Sequence, residues 1–62
     1  MKIILYNPLN GKAIDNDDQF VDEDESPRIF DTIIAADSHS MWYELVYGIK
    51  LWAKLKSETS HR

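Results

Sequence analysis

Residues 38–56 read SHSMWYELVYGIKLWAKLK, and this segment decides the predicted fold. It contains no proline, and placing its residues 100° apart gathers one apolar face. The members of that face are Met41, Trp42, Leu45, Val46, Gly48, Ile49, Trp52, Ala53 and Leu55. The pattern predicts one long amphipathic helix over residues 38–56, about 28 Å in length. Asp37 and Ser38 are typical cap residues for its start.

The opposite face of the predicted helix carries two tyrosines and a leucine. Tyr43, Tyr47 and Leu51 follow one another at intervals of four residues, so they line up on the side away from the predicted core. Tyrosine is enriched at protein interfaces because it offers a large rigid surface with a polar tip. We therefore predict that this tyrosine stripe contacts a partner. Contact with the acidic loop described below, or with a second copy of the chain, would also explain it.

The apolar face permits an alternative function, homodimerisation through the helix. Part of the face follows alternating spacings of four and three residues, which is the pattern of a helix–helix seam. The seam residues are Met41, Leu45, Gly48, Trp52 and Leu55. Gly48 costs about 1 kcal/mol relative to alanine inside a helix, and close approach of another backbone would account for it. Packing against a sheet explains the same spacing.

The start of the chain predicts a β-hairpin. In residues 2–6 apolar side chains occupy both faces of an alternating pattern, which is typical of a short strand covered on each side. Residues 7–11, Asn-Pro-Leu-Asn-Gly, supply turn chemistry, because proline fixes φ and Asn-Gly tolerates positive φ. Residues 12–14 then return as a second strand, and Phe20 and Val21 either extend it or attach the following loop to the core.

Residues 28–36, RIFDTIIAA, are compatible with two structures. Ser26 and Pro27 suit the start of a helix. Four β-branched residues favour a strand instead. They are Ile29, Thr32, Ile33 and Ile34. We take a strand over 28–35, because Asp37 and Ser38 mark the start of a new element.

These elements predict an α+β fold. It consists of a two- or three-stranded antiparallel sheet, built from the N-terminal hairpin and the strand near 28–35, packed by the long C-terminal helix. The 62 residues are expected to form a single small domain (1–62), with an acidic loop at 15–27 and a short polar tail at 57–62.

The acidic loop, DNDDQFVDEDESP, is the most unusual part of the sequence. Its seven acids are Asp15, Asp17, Asp18, Asp22, Glu23, Asp24 and Glu25. Residues 15–25 span at most about 36 Å, so the charges lie about 5 Å apart, comparable to the ~3.4 Å charge spacing of one DNA strand. We therefore predict that these acids bind a protein with a basic surface, such as a nucleic-acid-processing enzyme, by mimicking nucleic acid. A solvated loop that aids solubility is the other interpretation.

The sequence offers little for catalysis or for a cofactor. There is no cysteine, and the two histidines are His39 and His61. Asp37, Ser38 and His39 are neighbours at the predicted helix start, so they cannot point at one another as a catalytic triad must. With only two glycines, no Gly-rich phosphate loop is present.

The acidic loop also lacks the pattern of a calcium site. Asp15 and Asp17 have the spacing that opens an EF-hand loop. That loop needs glycine at its sixth position and glutamate at its twelfth, where this chain has Phe20 and Ser26. We therefore expect a non-enzymatic protein with no cofactor and no specific metal.

The charge distribution disfavours direct binding to nucleic acid. The net charge is −4, and residues 13–37 contain nine acids against the single base Arg28. The end of the chain is basic, and its cations are Lys50, Lys54, Lys56 and Arg62. With Tyr47 and Trp52 nearby, they permit a small DNA-binding transcriptional regulator as a further alternative, although phosphate binding favours a basic domain.

The sequence predicts a cytoplasmic protein. No apolar run approaches the ~18 residues needed to cross a membrane. Residues 1–6 begin like a signal peptide, but their apolar stretch is too short for one.

In size, acidity and lack of catalytic residues the chain resembles small phage-encoded inhibitors of host enzymes, including anti-CRISPR and anti-restriction proteins. The resemblance is one of type and involves no shared motif. It implies an inhibitor or regulator that binds a protein in the host cytoplasm.

Overall fold

The strand formed by Ile3–Tyr6 lies inside an antiparallel sheet, with another strand hydrogen-bonded along each of its edges. The computed structural model describes residues 2–56. Its elements are β1 (Ile3–Tyr6), β2 (Ala13–Ile14), β3 (Phe20–Val21), α1 (Ile33–Tyr47) and β4 (Trp52–Leu55). The sheet order is β3-β2-β1-β4. The predicted α+β class is confirmed for these residues, but the sheet has four strands rather than two or three, and the helix is shorter than predicted.

The predicted N-terminal hairpin is present, and its turn has the chemistry that its sequence indicates. The Asn7 N–H donates to the Lys12 carbonyl at 2.8 Å, and the Gly11 N–H donates to the Asn7 carbonyl at 2.7 Å. The Asn7 side chain accepts from the Leu9 N–H at 2.9 Å. Gly11 has φ of 72°, a left-handed conformation that glycine adopts at little cost. The turn therefore sets the pairing of β1 with β2.

Segment 28–35 is not the predicted strand. Two of its residues hydrogen-bond to the sheet: Phe30 exchanges hydrogen bonds of 3.0 and 2.8 Å with Ile3, and the Arg28 N–H donates to the Ile14 carbonyl at 2.8 Å. Residues from Ile33 onward belong to α1. The reason is local: the Thr32 side chain accepts a hydrogen bond from the Ala35 N–H at 3.1 Å, and this N-cap starts the helix.

The helix boundaries differ from the prediction at both ends. Thr32, and not Asp37 or Ser38, caps the start. Gly48 ends the helix in a left-handed conformation, and its N–H donates to the Glu44 carbonyl at 2.8 Å. Glycine is common at this position because it lacks a Cβ. Residues 52–55, predicted as helix, form β4 and pair with β1.

The face of α1 that enters the core is also different from the predicted one. The core consists of Ile3, Leu5, Ile14, Phe30, Ala36, Tyr43 and Leu51. From the helix it takes only Ala36 and Tyr43, whereas Met41 and Leu45 of the predicted core face are exposed. Apolar residues occur on every side of α1, so their spacing does not select a single buried face. The predicted seam is also wrong, because Trp52 and Leu55 lie in β4.

Two other expectations concern the ends of the chain and the membrane. Within residues 2–56, no helix has the length and apolar character needed to span a bilayer. The polar tail predicted at 57–62 lies outside the described residues.

The position of the helix start is testable by capping substitutions. We expect Thr32→Ala to lower the free energy of unfolding by about 1 kcal/mol, because the Ala35 N–H loses its acceptor. Thr32→Ser keeps the hydroxyl and should stay near the parent. Ser38 lies in the helix interior, so Ser38→Ala should change stability little. The measurement is urea unfolding, and a larger loss from Ser38→Ala than from Thr32→Ala would place the helix start at the sequence-predicted site.

Candidate protein-binding surface

The acidic loop folds around one of its own carboxylates. Asp15 Oδ1 accepts hydrogen bonds from the Asp17 N–H at 2.8 Å and from the Gln19 N–H at 2.9 Å. The Asp15 N–H donates to the Gln19 carbonyl at 2.9 Å, which closes the turn between β2 and β3. Asp15 therefore organises the loop, and Phe20 and Val21 form the strand that follows it.

Three further acids of the loop are paired with basic side chains of the same chain. Asp18 Oδ1 lies 3.0 Å from His39 Nε2 on α1. The other two pairs are Asp22 with Lys12 at 2.8 Å and Glu23 with Lys54 at 3.1 Å. The hydrogen bond from Lys12 to Asp22, aided by the charge of Asp22, raises the pKa of the Lys12 ammonium. Four of the seven predicted partner-binding acids thus have structural roles.

The remaining acids of the loop, Asp17, Asp24 and Glu25, are exposed. They do not form a continuous row, because paired acids lie between them in the sequence. Partner binding by the loop stays a prediction. Any contact that a partner makes with free carboxylates here would use these three residues.

The tyrosine stripe does not point outward as predicted. Tyr43 is 3% exposed and Leu51 is 2% exposed, and both belong to the core. Tyr47 remains half exposed, with its ring 4.5 Å from that of Tyr43. The orientation was mispredicted because the helix presents Tyr43 to the sheet in place of Met41 and Leu45. In this conformation only Tyr47 of the stripe is available to a partner.

Burial also alters the ionisation of Tyr43. Its hydroxyl lies 3.5 Å from the Asp18 carbonyl oxygen, and its ring packs edge-on against Phe20 with 6.4 Å between centroids. Desolvation raises the pKa of the Tyr43 phenol, and the negative charges of Asp18 and Tyr47 add to the increase. The neutral phenol is therefore favoured in the folded state.

The Asp37–Ser38–His39 sequence does not form a catalytic arrangement. Asp37 and Ser38 are exposed, whereas the His39 ring packs inward. It stacks on Trp42 with 5.2 Å between centroids and lies 5.6 Å from Phe30. His39 thus joins α1 to the acidic loop through Asp18.

Exposed apolar side chains form a surface along one side of α1. Ile34, Met41 and Leu45 are 78%, 60% and 83% exposed, and their spacing of seven and four residues aligns them on the side of α1 opposite Tyr43. We refer to these three residues as the outer stripe. Trp42 and Val46 continue it on one side. The sequence analysis missed Ile34, although its spacing to Met41 and Leu45 is the signal that would have identified it.

Charged residues border the outer stripe on its other side. Asp37 and Glu44 are seven residues apart, so they lie on one flank of the helix beside the stripe. Both are exposed. The surface is therefore an apolar strip with an anionic edge.

A cleft of about 540 Å³ opens between the hairpin turn and the end of α1. Its walls include Leu9, Gly48, Ile49 and Trp52. Among residues 2–56, no buried side-chain polar atom lacks a hydrogen-bond partner, so none is left unpaired in this cleft to orient a ligand. The same residues contain no group of three or more potential metal ligands.

Comparison with known proteins adds no relative: no protein-family model, curated protein or solved structure matches this chain. The candidate surface is therefore identified from its own chemistry.

The raised pKa of Tyr43 predicts a pH dependence of stability. The unfolded phenol loses its proton near pH 10, whereas the folded one keeps it to higher pH, so the folded state binds more protons in that window. The stabilisation is complete below about pH 10 and is lost as the pH rises through the folded pKa. In urea unfolding between about pH 9 and pH 11, Tyr43→Phe should weaken this decline. Lys12 contributes equally to the pH dependence of stability in the parent and in Tyr43→Phe. If stability fell with pH at the same rate in both chains, the assignment of the decline to Tyr43 would be contradicted.

Proposed function

We propose that this chain is a non-enzymatic protein-binding module, an inhibitor or regulator that acts by docking the outer stripe of α1 onto a partner protein. The observation that carries the proposal is the exposure of Ile34, Met41 and Leu45 on one helix face. The partner has an apolar groove bordered by lysine or arginine residues.

The apolar area is large for a chain of this size. Burying one such side chain contributes about 1.5–3 kcal/mol, so the three residues of the outer stripe together can supply several kcal/mol of binding free energy. Contiguous apolar patches on soluble proteins commonly mark interaction sites. An amphipathic helix in a groove is a frequent mode of protein recognition, with anchors at spacings such as those of the outer stripe.

The charge at the edge of the stripe favours a basic partner over a second copy. In an antiparallel pairing of two α1 helices, the flank that carries Asp37 and Glu44 would meet the same flank of the other copy. In a parallel pairing it would meet the apolar flank that includes Trp42, and the carboxylates would lose solvent without gaining a cation. A groove rimmed by basic residues avoids both costs.

The exposed acids of the acidic loop extend the same preference. Asp17, Asp24 and Glu25 add to a net charge of −4, which attracts a cationic surface over distances near the Debye length. A nucleic-acid-processing enzyme has such a surface, and inhibition of one in a host cytoplasm is the activity proposed for this chain. Mimicry of a nucleic acid strand has weaker support, since four acids of the loop are engaged within the fold.

Within residues 2–56, the surroundings of Lys54 give direct DNA binding no support. Lys54, at the centre of the basic C-terminal segment, is held 3.1 Å from Glu23 and lies 4.7 Å above the Tyr6 ring. Its charge is therefore directed to the chain's own residues.

A glutamate placed in the outer stripe tests the docking surface. We expect Leu45→Glu to weaken partner binding at least about tenfold, because a charge is buried against an apolar groove. The matched control is Leu9→Glu, which makes the same charge change on the hairpin turn, where Leu9 is 92% exposed. The parent and the two variants are immobilised and incubated with lysate of the host cell, and retained proteins are identified by mass spectrometry and retested as purified components.

A protein retained by the parent and by Leu9→Glu, but lost with Leu45→Glu, supports the proposal. Equal retention by all three chains would show that the outer stripe is not the contact surface.

Charge removal in the acidic loop tests the basic character of the partner. Asp24→Asn combined with Glu25→Gln removes two exposed charges and leaves the Lys12 and Lys54 pairs intact. We expect association with the purified partner to slow about twofold to tenfold at low salt, with a smaller difference at high salt. Surface plasmon resonance gives both rates, and an unchanged association rate at low salt would contradict a role for these acids.

A further inference from the structure

Strand β4 is the edge of the sheet, and the hydrogen-bond pattern shows which of its groups face outward. Ile3 exchanges its hydrogen bonds with Phe30, on the side of β1 away from β4. The Lys56 N–H donates to the Lys2 carbonyl at 2.9 Å. Because bonded pairs alternate along antiparallel strands, the even-numbered residues of β4 bond to β1. The N–H and C=O groups of Ala53 and Leu55 therefore point away from the sheet.

The open part of this edge is limited at one end by the helix. The Leu51 carbonyl, two residues before Ala53, accepts a hydrogen bond from Ser40 Oγ of α1 at 2.9 Å. Leu51 is also buried. Among residues 2–56, no strand lies beyond β4, so the edge is free at Ala53 and Leu55.

The edge lacks the usual protection against strand pairing. Lysines on edge strands commonly prevent association because their charges would be desolvated. The only charged residue of β4 is Lys54, and its ammonium is folded back onto Glu23 and the Tyr6 ring. The other three residues of β4, Trp52, Ala53 and Leu55, are uncharged and exposed.

We propose that β4 pairs with β4 of a second copy, antiparallel about a two-fold axis at Lys54. In this register Ala53 of each copy faces Leu55 of the other, and the two pairs form four backbone hydrogen bonds. An axis at Ala53 would require pairing at Leu51, whose carbonyl is already engaged by Ser40. The position of Ser40 thus excludes the register centred on Ala53.

The side chains fit this register. Leu55 pairs with Ile3 in the sheet, so Leu55 and Ala53 lie on the helix-covered face, and each large Leu55 side chain meets a small Ala53 of the other copy. Trp52 lies on the opposite face beside Tyr6. There it meets Lys56 of the second copy, a pair suited to a cation–π contact. The two Lys54 side chains meet at the axis, where their like charges oppose pairing, and the contact of each with its own Glu23 reduces that cost.

The dimer has a defined arrangement and a limited affinity. Pairing extends the sheet to eight strands in the order β3-β2-β1-β4-β4-β1-β2-β3. Both helices lie on one face of this sheet, so the dimer presents two outer stripes side by side. Bivalent binding of a partner through these stripes rests on the proposed function, whereas the pairing of β4 with β4 does not. Asp37 and Glu44 lie on the same flank of α1 as Ser40, above β4, so the two copies bring like charges together. The dimer should therefore strengthen as salt screens this repulsion.

The test removes one outward N–H without changing a side chain. The chain is short enough for chemical synthesis with N-methylalanine in place of Ala53, a change that leaves the hydrogen bonds to β1 intact. Sedimentation of the parent from about 10 µM to about 1 mM should show mass rising from 7.2 kDa towards twice that value, whereas the N-methyl chain stays monomeric. A small interface places the dissociation constant within this range.

Two variants keep the result interpretable. Circular dichroism reports whether the N-methyl chain folds. If it does not, Leu55→Glu, a change at an exposed position, takes its place as the test and should weaken the dimer at least about tenfold. Leu45→Glu should dimerise as the parent does, so loss of partner binding and loss of the dimer are separable. A parent that is monomeric at about 1 mM, or a dimer that N-methylation leaves intact, overturns the proposal. If the parent stays monomeric and an extended peptide of another protein binds to β4 instead, the proposal that β4 pairs with a second copy is also overturned.

Discussion

The burial of β1 on both faces is the constraint on which the other elements depend. Ile3, Ile4 and Leu5 have no solvent exposure, and the strand is paired along both edges. Such a strand needs cover on each side. Helix α1 covers the face of Ile3 and Leu5. On the other face Lys54, which pairs with Ile4 in the sheet, reaches Glu23 of the acidic loop. The loop is therefore part of the sheet's support.

The hairpin could be predicted from sequence because its information is local. The proline and Asn-Gly of residues 7–11 determine a turn, and the apolar residues of 2–6 indicate a buried strand. The helix boundaries depend on choices between similar signals. Thr32 competes with Ser38 as a cap, and Gly48 has a cost inside a helix but none at its C-terminal end. Assigning Gly48 to the C-terminal end of the helix would have predicted that boundary correctly, and residues 52–55 would then have been open to assignment as a strand.

The candidate site was harder to predict, because it depends on which helix face meets the sheet. Tyr43 enters the core beside His39 and Tyr47 of its own helix, but its contact with Phe20 joins residues far apart in the sequence. An apolar count treats Met41 and Tyr43 as nearly equivalent. The same limitation applies to the acidic loop. Its composition indicates repulsion between like charges, but Asp18 pairs with His39 and Glu23 pairs with Lys54, both on distant elements. Because these acids are paired within the fold, fewer free carboxylates are available to a partner than the number of acidic residues indicates.

The pairing of β1 with β4 has a consequence for the synthesis of this chain. Ile3 pairs with Leu55, so the first strand of this sheet to be synthesised pairs with the last one. Until then the hairpin has no partner on its second edge, and isolated two-stranded hairpins are marginally stable in water. The helix, which contacts both strands, has no complete surface to pack on before that moment. Among residues 2–56 the sheet is therefore completed by the segment that is synthesised last, and until then the apolar side chains of β1 lack part of their cover.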